Sequence, residues 1–163
     1  MDVSGQIKSI CPPEVLVSAL HDAPTLSRLL PGDFTLEAVG DGRYAFSITK
    51  SIGPIKLTLP GEMTLTSGLG HDLTLSARAA HLIGGRVDLD LTLTFDQHGG
   101  LTRLAYAGTV EATGLAGRVL REHQVRVNSA LRAGMIRLKD HAEWQARTGN
   151  QPDLSAGSRA SSD

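Results

Sequence analysis

The stretch Leu115–Arg147, LAGRVLREHQVRVNSALRAGMIRLKDHAEWQAR, decides the fold of this chain. Together with Gly114 it is the longest helical pattern in the sequence, and it contains no proline. Leu120, Val127, Leu131 and Leu138 return at helical spacing, and Ala116, Ala130, Met135 and Ala142 widen the apolar stripe. The opposite side carries Arg118, Arg121, Glu122, Arg126, Arg132, Arg137 and Lys139. An uninterrupted helix over Gly114–Arg147 spans on the order of 50 Å at about 1.5 Å per residue. It cannot bury its stripe alone, so it needs a broad sheet upstream.

That sheet is legible between residues 33 and 112, where the period switches to two. Phe34, Leu36 and Ala38 make one strand, and Gly40-Asp41-Gly42 a tight turn. Tyr44, Phe46 and Ile48 share a face until Gly53-Pro54. Ile55, Leu57 and Leu59 follow, and Pro60-Gly61 predicts a bulge or kink before Met63 and Leu65. Leu73, Leu75, Ala77 and Ala79 precede a turn at Gly84-Gly85. Val87 to Phe95 alternates strictly, His98-Gly99-Gly100 turns the chain, and Leu104, Tyr106, Gly108 and Val110 close the series. Short turns between consecutive strands mean an antiparallel meander with one apolar and one wet face.

Before it, Val3, Gly5 and Ile7 form a first strand, and Pro12-Pro13 opens a short helix over PPEVLVSALHD. Ala23–Leu30 predicts a second short helix, stopped by Pro31-Gly32. The expected fold is therefore α+β: about seven antiparallel strands wrapped around a long C-terminal helix, with two short helices after strand 1. This helix-grip order places one domain over residues 1–147, and a small polar tail over 148–163 reads as disordered.

Composition narrows the function. A net charge of −1 and an aromatic content of 4% give no case for nucleic-acid binding. One cysteine, Cys11, excludes an internal disulfide framework and favours a cytosolic home. No signal pattern or bilayer-length apolar run is visible. His21, His71 and His81 are scattered without metal-ligand spacing, so no metal is expected. Cys11 has no activating neighbour and reads as a packed thiol. Asp88 and Asp90 point to the wet face, and no catalytic group is assigned.

Particular residues resemble a known family. His21-Asp22, Leu26, Leu30-Pro31-Gly32, Gly42-Arg43-Tyr44, Ile52-Gly53-Pro54, Gly61, Thr102–Tyr106 and Gly114-Leu115-Ala116 occur in order over residues 2 to about 140. The set resembles the carbon monoxide dehydrogenase G-subunit family, of the START-like, polyketide-cyclase-like superfamily. The resemblance implies a non-catalytic accessory protein of a molybdenum hydroxylase complex. It would serve in assembly, membrane recruitment or electron transfer, with a quinone or lipid in an apolar cavity and no covalently bound cofactor. It implies a cytoplasmic protein, or one peripheral at the inner face of the membrane. Two departures stand out. Members often carry an aromatic pair late in the last helix, where this chain has Gly134-Met135-Ile136. Some end in an apolar anchor, where this sequence has Ser161-Ser162-Asp163.

The candidate ligand-binding residues are Leu30, Pro31, Phe34, Ile48, Leu57, Leu75, Leu91, Tyr106, His123, Val127 and Leu131. The strand residues among them share inward parity with Ala77, Ala79 and Gly108, small residues that either let the helix approach closely or leave space. Tyr106 and His123 are either the polar end of a cavity or core groups bonded to backbone. Leu29–Asp33 is either a gate or an ordinary helix end. The arginine-rich helix side is either solvated or a contact for anionic lipid or an acidic partner protein. Trp144 reads as an interface residue or a cap on the sheet edge. The competing function is a cyclase, aromatase or hydrolase enzyme, for which only Tyr106 with His123 supplies a donor–base pair. A third is a pure assembly factor without ligand.

Overall fold

The computed structural model describes residues 1–29, 33–81, 85–122 and 124–148. The elements are β1 (Asp2–Ser9), α1 (Pro13–Leu20), α2 (Ala23–Leu29), β2 (Asp33–Gly40), β3 (Arg43–Ile52), β4 (Ile55–Ser67), β5 (Leu73–His81), β6 (Gly85–His98), β7 (Leu101–Thr113), α3 (Gly114–Glu122) and α4 (Gln124–Thr148). The strands form one 7-stranded sheet in the order β1-β7-β6-β5-β4-β3-β2. Every pairing is antiparallel. This is the expected helix-grip arrangement, a curved sheet with a long C-terminal helix.

The corner from β1 into α1 shows how the chain makes its first turn. Pro13 stands at the start of α1, where a missing N–H costs nothing, and Glu14 lies in the first turn, where the helix dipole favours a carboxylate. Leu16, Ala19 and Leu20 are buried on one side of the helix. The corner's polar groups are buried too, and they are satisfied internally. Cys11 N–H donates to Ser9 Oγ at 3.1 Å. The Thr102 hydroxyl of β7 donates to the Cys11 carbonyl at 2.6 Å.

The long helical pattern is helical over Gly114–Glu122 and Gln124–Thr148. Position 123 between them lies outside the described residues. Their packing differs: α3 rests on β6 and β7, and α4 on β1, α1 and α2. Periodicity does not separate them, because Leu120 of α3 and Val127, Leu131 and Leu138 of α4 all pack against the same core. Thr148, expected to open the tail, closes α4 and donates its hydroxyl to the Trp144 carbonyl at 2.7 Å. The rest of the expected tail, residues 149–163, lies outside the described residues.

Pro60-Gly61 makes no bulge. β4 runs unbroken through both residues, with Ser47↔Pro60 and Phe46↔Gly61 in continuous register on β3. The reason lies in which neighbour each amide faces. Leu65 N–H donates to the Gly42 carbonyl at 2.7 Å on the β3 side. Odd residues of β4 therefore turn their N–H to β3 and even ones to β5. Pro60 therefore costs no bond to β3, because its missing donor falls on the β5 side. There the ladder reaches Glu62↔Arg78 and Gly61↔Ala79 and stops. The next bonded pair would be Pro60↔Ala80, which lacks its donor. Beyond it β4 stays with β3 as far as Ile55, and β5 stays with β6 as far as His81. The sheet forks at Pro60.

Candidate functional site

The inner face of the sheet is mainly apolar, with Ser9, Thr102 and His81 as polar members, and its two ends differ in depth. At one end Leu73, Leu93, Leu104, Leu138 and Ala142 are 0–2% exposed, and Leu16 of α1 seals them at 0%. At the other end the same strands present Ile48, Leu59, Ala77, Val87 and Leu89, all half-buried. Along β6 alone, Val87 and Leu89 are half-buried while Leu91, Leu93 and Phe95 are buried. The helices repeat the gradient: Leu120, Val127 and Leu131 are half-buried, Met135 and Leu138 buried. One end is packed core. The other keeps partial solvent exposure, although Ala79 and Val110 are buried there too.

The expected ligand residues fall along this gradient. Phe34, Ile48, Val127 and Leu131 are at the open end, half-buried. The Phe34 ring stacks on Phe46 with centroids 5.4 Å apart. Leu75 and Leu91 pair across β5 and β6 where the packed region begins. Leu57 pairs with Lys50 on β3, and its side chain lies outside the described residues. Leu30, Pro31 and His123 lie outside them altogether, and with them most of the expected gate.

Tyr106 is buried and pairs with Gly5 of β1. A Cβ on Gly5 would fall on the phenol oxygen and its carbon, so the ring lies along the sheet over Gly5. Burial pushes the phenol above its ordinary range, and Arg132 of α4 pulls the other way. Arg132 also donates to the Gln6 carbonyl of β1 at 3.3 Å. Tyr106 thus faces the β1–α4 seam.

A second polar group joins the short helices to α4, and sequence reading missed it. The Thr25 hydroxyl, 3% exposed, donates to the Asp22 carboxylate and lies 3.3 Å from His141 Nε2. The His141 ring stacks on Trp144, which is 55% exposed. The Tyr44 hydroxyl donates to the His21 carbonyl at 3.0 Å, and burial followed by the nearby Asp22 charge raises its pKa. Asp22 three residues before Thr25 is a helix-start signal. Nothing local points to His141.

Elsewhere the expected wet face needs one correction. Asp88 is half-buried, because Arg86 Nε and Nη2 both reach its Oδ2 at 2.7 Å. That hydrogen bond holds the carboxyl below its usual range. Asp90 is exposed and accepts the Ser76 hydroxyl at 2.7 Å. Cys11 is buried, and burial raises its thiol pKa against the Ser9 hydrogen bond. Among the described residues no group of three or more His, Cys, Asp or Glu side chains is placed to hold a metal. Nor is any helix among them long and apolar enough to cross a membrane.

The profile of the carbon monoxide dehydrogenase G-subunit family (CoxG) matches residues 5–127. The chain belongs to the CoxG family. That span takes in β1 to the start of α4, and so the open end of the inner face. No curated protein sequence matches this CoxG-family chain. Solved structures share its fold. A conserved protein from Geobacillus kaustophilus superposes with a TM-score of 0.72 at 17% identity, covering 89% of this chain and 97% of that one. An aromatase/cyclase from a Streptomyces species gives 0.64 at 14% identity, covering 91% and 97%. A STAR-related lipid transfer protein from Xanthomonas axonopodis gives 0.58 at 13% identity, covering 86% and 84%. At these identities the likeness is one of fold.

Proposed function

We propose that this CoxG-family protein is a non-catalytic accessory protein that holds a small apolar ligand, a quinone or a lipid, at the open end of its inner face. It does so in the service of a molybdenum hydroxylase complex, in assembly, membrane recruitment or electron transfer. The observation that carries the ligand is the depth gradient. Inward-facing Phe34, Ile48, Leu59, Val87, Leu89, Val127 and Leu131 keep solvent contact, while the same strands are sealed further along. Apolar surface left wet inside a fold is unfavourable by about 25 cal/mol per Å², and an apolar guest removes that penalty. The family supports the accessory role and the hydroxylase partner.

The enzyme reading takes its support from the likeness to an aromatase/cyclase, which reaches the fold only. It requires an acid–base pair beside the ligand. Tyr106, the described member of the expected pair, is laid over Gly5 and faces the β1–α4 seam. The hydrophobic side chains of the open end supply no proton donor, and His81 at the end of β5, which shares their inward parity, is no member of the expected pair. Accessory binding is the better reading.

The test is titration with decylubiquinone and, separately, a neutral lipid, read by thermal melting and native mass spectrometry. Binding is expected to raise Tm, and Leu89→Trp or Leu131→Trp, which fill the open end, to weaken it at least about tenfold, a loss of ~1.4 kcal/mol. If neither probe binds wild-type protein, ligand carriage is wrong. Co-purification with a molybdopterin-containing partner tests the second half of the proposal.

A further inference from the structure

Charge on this chain is segregated. Between residues 114 and 137 stand five arginines, Arg118, Arg121, Arg126, Arg132 and Arg137, against one acid, Glu122, a charge of +4 in a chain whose total is −1. On the sheet and late in α4, cations are matched locally: Arg86 holds Asp88, Arg103 holds Asp96, and Lys139 reaches Asp140 and Glu143. Arg118, Arg121 and Arg126 are exposed and form no ion pair among the described residues. Arg132, also exposed, gives one N–H to the Gln6 carbonyl of β1. Grouped like charges repel, so such a patch is unfavourable until anions stand opposite it.

The kind of anion follows from what surrounds the arginines. A helix that docks on lipid adds apolar anchors to its cations. Among the described residues, no exposed large apolar side chain stands on α3 or on α4 before Ile136. Ile10, Leu69 and Leu101 are exposed at the sealed end instead. There Ile10 precedes Cys11, whose carbonyl takes the Thr102 hydroxyl beside Leu101, and Leu69 is two residues from His71, which pairs with Glu14 of α1. Every cation of the patch is an arginine. Its planar fork grips a carboxylate through two parallel hydrogen bonds, and protein interfaces are enriched in arginine and depleted in lysine. The patch also adjoins the proposed binding face. Arg121, Arg126 and Arg132 are the chain neighbours of Leu120, Val127 and Leu131, which are half-buried on the inner side of the same helices.

We infer that α3 and the N-terminal part of α4 form the docking face for an acidic protein surface, whose carboxylates close on Arg118, Arg121, Arg126 and Arg132. A partner seated there lies beside the open end, where the apolar ligand enters or leaves. The inference rests on the accessory reading above and gives the partner's surface its chemistry.

The full chain, labelled with nitrogen-15, is titrated with a peptide of alternating glutamate and serine, and separately with phosphatidylcholine vesicles containing phosphatidylglycerol. The peptide is expected to shift amides of α3 and of the first turns of α4, less so as salt rises. Arg118→Ser with Arg121→Ser and Arg126→Ser is expected to weaken the peptide at least about tenfold, the combined weight of three exposed ion pairs. The same three positions changed to lysine keep the charge but lose the fork, and should fall between wild type and the serine triple. That variant serves for the comparison if the serine triple folds poorly. Arg43→Ser with Arg78→Ser, both exposed on the sheet, is expected to leave peptide binding unchanged. Absence of shifts on α3 and α4, a serine or lysine triple that binds as tightly as wild type, or loss of these signals with vesicles and no response to the peptide overturns the docking face. Decylubiquinone binding by the same protein then leaves the inner-face ligand standing. Its failure alongside a positive peptide result removes the ligand reading and not this one.

Discussion

Gly5 carries no side chain because the Tyr106 phenol occupies that space. Gly5→Ala is therefore expected to cost about 1–3 kcal/mol, the usual penalty of overpacking. Most of that loss should be recovered in the double variant with Tyr106→Leu, a coupling that urea denaturation of the four proteins measures. The titratable core residues make a separate prediction. Cys11, Tyr44 and Tyr106 all have pKa values raised by burial, from ordinary values of 9.0 and 10.0. Above those values the unfolded chain releases protons that the native protein still holds, so the extra stability is full below about pH 9 and is lost as pH rises through the native pKa values. Melting between pH 8 and 11 should show Tm falling from about pH 9, and Tyr44→Phe with Tyr106→Phe should flatten the part above pH 10. A Tm indifferent to pH over that range contradicts the burial of these groups.

Among the elements, β4 shows how one residue type sets sheet connectivity. Pro60→Val restores a donor toward β5, and the new hydrogen bond is worth about 0.5–1.5 kcal/mol. Loss of the proline costs about 0.4–1 kcal/mol through the freer unfolded chain. The two nearly cancel, so stability is expected to stay within about 1 kcal/mol of wild type. Hydrogen exchange is the discriminating measurement: amides 60 and 80 should become protected as the fork closes. The β1–α1 corner behaves differently. Thr102→Val leaves the buried Cys11 carbonyl without its 2.6 Å partner and should cost about 1–3 kcal/mol in chemical denaturation. The strand and helix elements were legible because side-chain period follows from backbone geometry. The fork was not, because the pattern of a strand names its faces but not the neighbour toward which each N–H points. The Thr25–His141 contact was hidden for another reason: it joins residues 116 positions apart, and no local pattern carries it.

Across the whole molecule, stability and binding are divided between the two ends of one apolar face. Leu104→Ala, at 0% exposure in the sealed end, is expected to cost about 2–5 kcal/mol. Leu89→Ala, half-buried at the open end, should cost less and change ligand affinity instead. Equal destabilisation by the two would erase the distinction. Strand parity disclosed which residues face inward, Phe34, Ile48, Leu75 and Leu91 included. Their depth depends on how the helices cover them, and that is a property of the assembled fold. The order of the strands has a consequence for how the chain reaches this state. β1, the first strand made, pairs with β7, from Asp2↔Thr109 to Ser9↔Thr102, and α4 packs against it afterwards. On the ribosome the edge of β1 therefore waits, unpaired, while the other five strands emerge, and contacts so distant in sequence form slowly. Synthesis leaves the domain open at its beginning, and the last third of the chain closes it.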